Sequence, residues 1–464
     1  MRCYVPAVHR LTRRSAALSL AAFVAASSAI AVTASPALAD NEKTLTVVGT
    51  SDVFDSNLVQ SVIKPGFEAA NPGITLNYVS RGTGAAIAYA EAGSASALIV
   101  HAASLENQFV GDGYSLEQYG RAIFWGDYVL LGPQSDPAGV LSGGFANDIV
   151  GAFQKVAAAG VNGTANFVSR GGTPGTTVQE HLLWALSNGV PTCTVSDVNG
   201  GGTAPSTTTG DCPTTPTNPD WYHTTGLTQG PNIQNADTCN YTGGGCYVFT
   251  DRGTYQYLKS QSLITSNLKI VTRNNAAGAP GGSTALVNSF HAYGLNSAKF
   301  AGNPNVKINT TGARKFLAWI TSPGAQSAIG AYLANDTANG GAPFIPDAAP
   351  KITTTPFPAS VASGSTFKLT VAVRNVVPGA VALNGKTVSL LFTPSTTGAP
   401  TTTIATGKTT SAAKVVFTVK PTETGKYSVS TKPITQIEDD SLTPPFGDLL
   451  VATTTPTLGK VKVT

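Results

Sequence analysis

The chain has 464 residues, only 12% of them charged, and its formal net charge is +4. This length predicts more than one domain, and the absence of a basic stripe argues against nucleic acid as a partner. No segment after residue 39 is long and apolar enough to span a bilayer, so we expect the mature protein to be soluble outside the cytoplasm.

The N-terminal segment has the pattern of a secretory signal peptide. The stretch "RLTRRSAALSLAAFVAASSAIAVTASPALAD" combines a basic start, an apolar run and the small-residue exit Ala37-Leu38-Ala39. Residues 1–39 are therefore predicted to be removed, by either the general or the twin-arginine route, since Arg13-Arg14 leaves the second route open. Cys3 precedes the apolar run, so it is not a lipid-anchor cysteine.

Short strands and helices alternate from residue 43 to residue 350, which predicts an α/β fold with mainly parallel sheets. In chain order they are the strand "TLTVVGTS", the helix "SNLVQSVIKPGFEAAN", the strand "ITLNYVS", the helix "GTGAAIAYAEAG" and the strand "ALIVHAA". The segment "DYVLLGPQSDPAG" is predicted to leave this lobe, and "STALVNSFHAYGLN" to return to it. Near the end of the region, "GARKFLAWITSPGAQSAIGAYL" predicts a helix pair broken at Pro323-Gly324.

Two crossings of this kind predict two lobes with a cleft between them. Lobe I would comprise about 43–128 and 285–350, and lobe II about 129–284. In open α/β sheets, ligands bind at the carboxyl ends of strands, where helices begin. We therefore expect a binding site in the cleft.

Four cysteines remain after the predicted cleavage: Cys193, Cys212, Cys239 and Cys246. An even number in an oxidising compartment predicts two disulfides. Three pairings are open, and nearest-neighbour pairing joins Cys193 to Cys212 and Cys239 to Cys246. The first bridge would staple a Gly-, Thr- and Pro-rich loop insertion at 189–220.

Residues 351–464 have a different sequence pattern, in which short strands of alternating polar and apolar residues are separated by turn signals. This pattern is typical of an all-β sandwich. The stretch "TETGKYSV" resembles the tyrosine corner of immunoglobulin-like domains, with Tyr427 as its ring. We expect a disulfide-free Ig-like domain that serves as a spacer or an adhesion module.

Small polar residues fill three turns between a strand and a helix: Gly49-Thr50-Ser51, Arg81-Gly82-Thr83-Gly84 and the stretch 169–176, "SRGGTPGT". Each turn offers unpaired backbone N–H groups, hydroxyls and glycines that allow close approach of an anion. Arg170 adds a planar fork of donors that suits a tetrahedral oxyanion. Each turn alone could be an ordinary capped helix start, but together they predict a bound anion.

Other chemistry is not indicated. The sequence has no GxSxG, HExxH or Walker pattern, and "GTGAAI" lacks the third glycine of a dinucleotide fingerprint. The histidines and cysteines have no metal-ligand spacing. We therefore predict no enzymatic activity, no cofactor and no metal.

Several segments resemble the tungstate-binding proteins of ABC importers, in the same order along the chain. They are "GTSDVFDSNL", "GTGAAIAYAEAGSASALIVHAASLENQFVGDGY", "DYVLLGPQSDPAG", "FVSRGGTPGTTVQEHLLW", "WYHTTG" and "FTDRGTYQYL". The resemblance covers about Thr44 to Pro346 and implies the two-lobed type II periplasmic binding protein fold. It further implies a monomer that captures an oxyanion and delivers it to a membrane permease of the ABC type.

Carried over by position, the resemblance implies a ligand set from the three turns. These residues are Thr50, Ser51, Thr83, Gly84, Ser169, Arg170, Gly175 and Thr176. His101 matches a family segment but is not expected to be a ligand.

Departures from the family pattern leave the choice of ion open. Gly49 and Pro174 stand where the family has hydroxyl residues, and Arg81 adds a charge. Tungstate, molybdate and sulfate need donors only, whereas phosphate keeps a proton and needs an acceptor. Asp52 would favour phosphate if it pointed into the cleft; Asp55 is expected to cap the following helix. We predict tungstate first and molybdate next.

Three alternatives remain beside this prediction. A phosphate-binding protein of similar fold would have the same architecture with a different ion. A cell-surface sensor or adhesion protein could have kept the binding fold, as the added β-domain and the lack of an anchor cysteine suggest. A secreted hydrolase would reveal itself by turnover of ester substrates.

Overall fold

The structure is a computed structural model that describes residues 43–195, 202–211 and 218–464. The predicted signal peptide and Cys212 lie outside the described residues. No helix in the described part is long and apolar enough to cross a membrane. All described residues belong to one compact unit, Ala39–Thr464.

The first lobe alternates strands and helices as the sequence predicts. Its elements are β1 (Thr44–Thr50), α1 (Ser51–Asp55), α2 (Lys64–Ala70), β2 (Thr75–Arg81), α3 (Thr83–Glu91), β3 (Ala97–Val100), α4 (Ala103–Gly111) and β4 (Gly120–Pro133). β1 lies between β2 and β3 and runs parallel to both. A π-helical turn at Val59–Ile63 leads into α2. Because β1 and β2 are parallel, their carboxyl ends bring the first two polar turns to one edge of the sheet.

The second lobe continues from β4, which is long enough to belong to both sheets. Its further elements are α5 (Ile149–Val161), β5 (Ala165–Ser169), α6 (Gly175–Leu186), β6 (Thr192–Val195), β7 (Gly202–Pro205), β8 (Gly210–Asp211), β9 (Tyr222–Thr224), α7 (Gln229–Thr238), β10 (Gly245–Asp251), α8 (Arg252–Ser260) and β11 (Leu268–Thr272). β5 runs parallel to both β9 and β10. β10 pairs with the second half of β4 in antiparallel register.

The insertion at 189–220 has more structure than a loop. β6 pairs with β7 in antiparallel register and with β8 in parallel register, which makes a small sheet. Cys193 is buried in β6, while its predicted partner lies outside the described residues. The predicted disulfide between Cys239 and Cys246 is present.

The chain then returns to the sheet that contains β1 and β3. The returning elements are β12 (Val287–Gly294), α9 (Thr310–Ile320), α10 (Pro323–Ala331) and β13 (Ile345–Pro346). β12 pairs with β3 and with the first half of β4. The predicted helix break is confirmed, because Pro323 opens α10 and the Ser322 hydroxyl accepts a hydrogen bond from the backbone of Ala325.

The two lobes have separate apolar cores. In lobe I the core includes Phe67, Phe124 and Phe316. In lobe II it includes Phe153 and Trp184, whose ring centroids lie 4.5 Å apart. Separate cores, joined by β4 and β12, give each lobe its own packing and leave the polar turns at the boundary.

The C-terminal region is all-β, as predicted. Its strands are β14 (Lys351–Thr354), β15 (Ser360–Val361), β16 (Phe367–Arg374), β17 (Thr387–Pro394), β18 (Thr402–Lys408), β19 (Lys414–Val419), β20 (Gly425–Thr431), β21 (Ile434–Asp439), β22 (Phe446–Leu450), β23 (Thr453–Thr454) and β24 (Gly459–Val463). One sheet has the order β14-β16-β19 and the other β15-β24-β20-β17-β18. Tyr427 is buried between them, with its ring 5.1 Å from that of Phe392.

One hairpin of this region joins the sheet of lobe I, which the sequence did not predict. β21 and β22 pair with each other, and β22 adds in parallel to β4, with Asp448 opposite Gly120 and Leu449 opposite Arg121. Ala122 of β4 also belongs to the apolar core of the C-terminal region. The all-β region is therefore packed onto lobe I.

Four buried polar side chains lie where the hairpin meets lobe I, and we call them the joint cluster: Glu106, His291, Tyr293 and Asp448. His291 Nδ1 lies 2.8 Å from Glu106 Oε2, and its Nε2 lies 2.7 Å from Asp448 Oδ1. The Tyr293 hydroxyl donates to Glu106 Oε2 at 2.8 Å. Burial opposes the charged imidazole, but the two carboxylates outweigh it and hold the pKa of His291 well above its ordinary value.

Candidate functional site

The three polar turns meet at the boundary between the lobes. Arg170 Nη2 in lobe II donates to Ser51 Oγ in lobe I at 3.1 Å. The backbone N–H of Gly84 donates to the Thr173 carbonyl at 3.4 Å. A Cβ on Gly82 would lie 3.2 Å from the Cα of Pro174, so the second and third turns are in close backbone contact. The sequence segments that predicted an anion site are thus brought together.

Two hydroxyls are buried at this meeting point. Thr50 ends β1 and Thr83 begins α3, and their side chains are 2% and 0% exposed. Thr83 Oγ1 has no hydrogen-bond partner among the described residues, whereas the Thr50 hydroxyl lies against the Asp52 carboxylate and helps to lower the pKa of that acid. A buried hydroxyl without a partner costs free energy, so the Thr83 hydroxyl is suited to a ligand that supplies an acceptor.

Arg170 is the cation of the site and is only 6% exposed. Its Nε donates to the Leu227 carbonyl at 3.2 Å, and its Nη1 donates to Gln229 Oε1 at 2.9 Å. Burial lowers the pKa of Arg170, and the charges of Asp52, Asp55 and Asp251 oppose that shift. Arginine stays charged in proteins. With the bond to Ser51, three of its five N–H groups are used, which leaves two for a ligand.

The start of α6 lies against His101. A Cβ on Gly175 would lie 2.3 Å from His101 Cε1, so only glycine fits at this position. Thr176, the next residue, is buried, and its hydroxyl donates to Gln229 Oε1 at 3.1 Å. The backbone N–H groups at the start of this 12-residue helix are the remaining donors of the third turn.

Ser169 has a different role from the other predicted ligands. Its hydroxyl donates to Glu180 Oε2 at 2.9 Å, within a cluster that also holds Tyr222 and Trp184. Burial raises the pKa of Glu180 to about 7, although these hydrogen bonds oppose the shift. In this arrangement the Ser169 hydroxyl uses its one proton in the hydrogen bond to Glu180.

Asp52 is buried beneath the site, where it contacts Val53, His101 and the Thr50 hydroxyl. Its Oδ1 accepts from the backbone N–H of Val53 at 3.0 Å, and its Oδ2 lies 2.9 Å from His101 Nε2. His101 Nδ1 lies 3.0 Å from the Tyr128 hydroxyl. Burial acts to raise the pKa of Asp52, but His101, with a smaller contribution from Arg170, holds it below the ordinary value. Both carboxylate oxygens of Asp52 are thus in use.

Two further acids lie near Arg170. Asp55 Oδ2 accepts from the backbone N–H of Gly230 at 2.8 Å, so it links lobe I to the start of α7 in lobe II. The expectation that Asp55 caps the following helix was wrong, because the residue ends α1 and its carboxylate reaches the other lobe. Asp251 caps α8 through Oδ1, while its buried Oδ2 has no partner among the described residues. Burial, with a contribution from Asp52, raises the pKa of Asp251 to about 7.

Gln229 is the site residue that sequence reasoning missed. It is fully buried at the start of α7, and its oxygen accepts from both Arg170 and Thr176. The only available signal was its position in "WYHTTGLTQG", shortly before a helix. The described residues contain no group of three or more histidine, cysteine or acidic side chains that could hold a metal ion.

Comparison with known proteins agrees with this geometry. A candidate anion-binding protein of an ABC transporter from Haloferax volcanii is 32% identical over 304 residues, which are 66% of this chain and 72% of that protein. The tungstate-binding protein TupA of Peptoclostridium acidaminophilum is 30% identical over 61% of this chain and 79% of its own length. The crystal structure of the tungstate ABC transporter from Geobacter sulfurreducens matches 62% of this chain and 99% of its own, with 28% identity and a TM-score of 0.45.

The model of the PBP superfamily domain matches residues 32–324, which is more than half of the chain. That range contains all three polar turns and the returning strand β12. The chain therefore belongs to the PBP superfamily.

Proposed function

We propose that this protein is an extracytoplasmic solute-binding protein that captures a tetrahedral oxyanion between its lobes and delivers it to an ABC permease. The observation that carries the proposal is a buried arginine at the meeting point of the three turns, together with the buried Thr83 hydroxyl, which has no partner among the described residues. Charge-assisted hydrogen bonds of this kind are strong where water is excluded. The proposed ligand set is Thr50, Ser51, Thr83, Gly84, Arg170, Gly175 and Thr176, with Ser169 supporting the turn.

Capture needs no covalent chemistry from this chain. The ion first meets the donors of one lobe, and the second lobe closes over it by a hinge motion along β4 and β12. Asp55 contributes to the closed arrangement, since its bond to Gly230 crosses between the lobes. The protein is proposed to act as a monomer and not as an enzyme.

The preferred ion is a fully deprotonated dianion, tungstate first and molybdate next. Two relatives named for tungstate support this choice. The contacts of Asp52 support it as well, because its two oxygens are directed to the Val53 N–H and to His101. The phosphate alternative would require another acceptor, and the buried, unpartnered Asp251 Oδ2 near Arg170 is the candidate among the described residues.

The C-terminal region is proposed to be an Ig-like domain, on the basis of its two packed, mainly antiparallel sheets. Because its β21–β22 hairpin extends the sheet of lobe I, it would accompany that lobe in any hinge motion. A surface sensor that kept the binding fold remains the alternative function. Dependence of transport on a permease and ATPase encoded beside the gene would separate the two.

The direct experiment is calorimetric titration of the mature protein, beginning at Asp40, with tungstate, molybdate, sulfate and phosphate. We expect tight binding of tungstate and molybdate and weak binding of phosphate. A thermal-shift series with the same ions gives an independent readout, since a ligand that binds only the folded state raises its stability by mass action. Failure of all four ions to bind would contradict the proposed function.

A further inference from the structure

Gln229 occupies a position that controls two of the proposed anion donors. Its Oε1 accepts from Arg170 Nη1 at 2.9 Å and from Thr176 Oγ1 at 3.1 Å, and its Nε2 donates to the Thr250 hydroxyl. The orientation of the amide follows from chemistry, because a guanidinium can only donate. The oxygen of Gln229, and not its nitrogen, must therefore face Arg170.

This arrangement decides how the Thr176 hydroxyl is used. A hydroxyl has one proton to donate, and in the structure that proton is directed to Gln229 Oε1. An oxyanion in the site would have to compete with Gln229 for it, or use the backbone N–H of Thr176 instead. Arg170 is less restricted, since only one of the two Nη1 protons is needed for Gln229.

The acceptor capacity of Gln229 is also filled. An amide oxygen has two lone pairs, and Arg170 and Thr176 supply a donor to each. A ligand hydroxyl, such as the one that phosphate carries at neutral pH, finds no acceptor on Gln229 unless it displaces one of these donors. Unless Asp251 Oδ2 accepts it, that proton is left without a partner in a buried site, which costs free energy.

We propose that Gln229 is a specificity-determining residue: as a neutral acceptor already saturated by Arg170 and Thr176, it makes the site discriminate against oxyanions that carry a proton. This inference rests on the proposed function, because it assumes that the anion binds at Arg170. The turn residues act on the ligand as hydrogen-bond donors, whereas Gln229 in α7 acts by offering the ligand no free acceptor.

The decisive variant is Gln229→Glu, which keeps the shape and adds acceptor capacity. The Thr250 hydroxyl can rotate to donate to the new oxygen. We expect tungstate affinity to fall at least 100-fold, because a negative charge now lies beside Arg170. Phosphate affinity should fall much less, because its proton gains an acceptor, so the ratio of tungstate to phosphate affinity drops at least tenfold.

A second variant tests the same idea without a new charge. Thr176→Val keeps the side-chain shape and removes the hydroxyl, which frees one lone pair of Gln229 Oε1. The ratio of tungstate to phosphate affinity should again drop, by about tenfold. This variant decides the matter if Gln229→Glu does not fold, as judged by circular dichroism and the melting temperature.

The matched control is Gln234→Glu, the same change on the same helix at a side chain whose amide donates to the Leu263 carbonyl. It should leave both affinities within about twofold of the parent. Calorimetry with sodium tungstate and sodium phosphate at pH 7.5, directly or by competition, supplies all four values. An unchanged affinity ratio in the folded variants would overturn the role of Gln229, whereas a parent protein that binds no oxyanion would overturn the proposed function itself.

Discussion

The protein buries two histidines beside carboxylates, and their surroundings differ in one respect. His101 belongs to what we call the cleft cluster: Asp52, His101, Tyr128 and Arg170. Near it, the Thr83 hydroxyl is an unpartnered donor among the described residues, and Asp251 Oδ2 is an unpartnered acceptor. In the joint cluster the unpartnered group is an acceptor, Glu106 Oε1. An unused hydroxyl near an arginine is suited to an anion, while an unused carboxylate oxygen next to a protonated histidine is suited to a contact that holds two regions together.

The ionisation of the two clusters follows the same difference. In the cleft cluster, opposing charges outweigh burial and keep the pKa of Asp52 below its ordinary value, so the acid remains paired. In the joint cluster, Glu106 and Asp448 raise the pKa of His291 far enough that the imidazole is charged at neutral pH. Buried charge alone therefore does not indicate a binding site; the partners left unsatisfied around it do.

The largest effect is expected from Arg170→Ala, which removes the guanidinium of the cleft cluster. A buried anion left without its counter-charge loses about 3–5 kcal/mol, so tungstate affinity should fall at least 100-fold in calorimetry. Arg314→Ala, at an exposed position on α9, is the matched control and should bind as the parent does. Parent-like binding by the Arg170 variant would remove the arginine from the site.

His291→Ala should have the opposite profile. It leaves Glu106 and Asp448 buried without their counter-charge, and we expect a loss of about 3–5 kcal/mol in the free energy of unfolding. Tungstate affinity, measured well below the unfolding midpoint, should stay within about twofold of the parent. Comparable losses of affinity and stability would show that the two clusters are not independent, and the distinction between a binding cluster and a structural one would fail.

The α/β fold and the meeting of the three polar turns could be predicted because their signals are local. Three signals lie next to a helix start in the sequence: the strand ends at Thr50 and Arg81, and Arg170 after β5. Parallel strands bring such neighbouring signals to one edge of a sheet. A local pattern and a general rule of topology were enough to bring these residues together.

The remaining parts depend on long-range contacts that leave no local pattern. Gln229 lies 59 residues from Arg170, and a glutamine at a helix start is ordinary. Asp55 meets Gly230 across 175 residues, although a helix cap next to it was the simpler expectation. β22 pairs with β4, so the C-terminal region, which was predicted to be a separate domain, is joined to the sheet of lobe I. Such contacts follow from packing between elements and not from their sequence.

The joint cluster also predicts a pH dependence of stability. The pKa of folded His291 is raised, so the folded state binds one proton more than the unfolded state between about pH 6.5 and the folded pKa. Its stabilisation is complete below about pH 6.5 and is lost as pH rises, by up to about 1.4 kcal/mol per unit.

Urea unfolding between pH 7.5 and 10 should therefore show a falling midpoint in the parent and a flatter one in His291→Ala. Glu438, whose pKa burial raises to about 7, acts mainly below this range and does not interfere. An equally steep decline in the variant would assign the effect to another group.

The smallest effect concerns Asp251, which lies beside the cleft cluster and titrates near neutrality. Burial raises its pKa to about 7, so raising the pH from 6 to 8 adds a negative charge near Arg170. Tungstate stays a dianion over this range, and its affinity should fall by roughly three- to tenfold, a difference of about 1 kcal/mol. Asp251→Asn preserves the capping of α8, because asparagine is an equally good N-cap, and it should bind tungstate with an affinity that does not change with pH. A decline that persists in this variant would mean that Asp251 does not sense the anion, and the pH dependence would then be assigned to Glu180, whose pKa burial also raises to about 7.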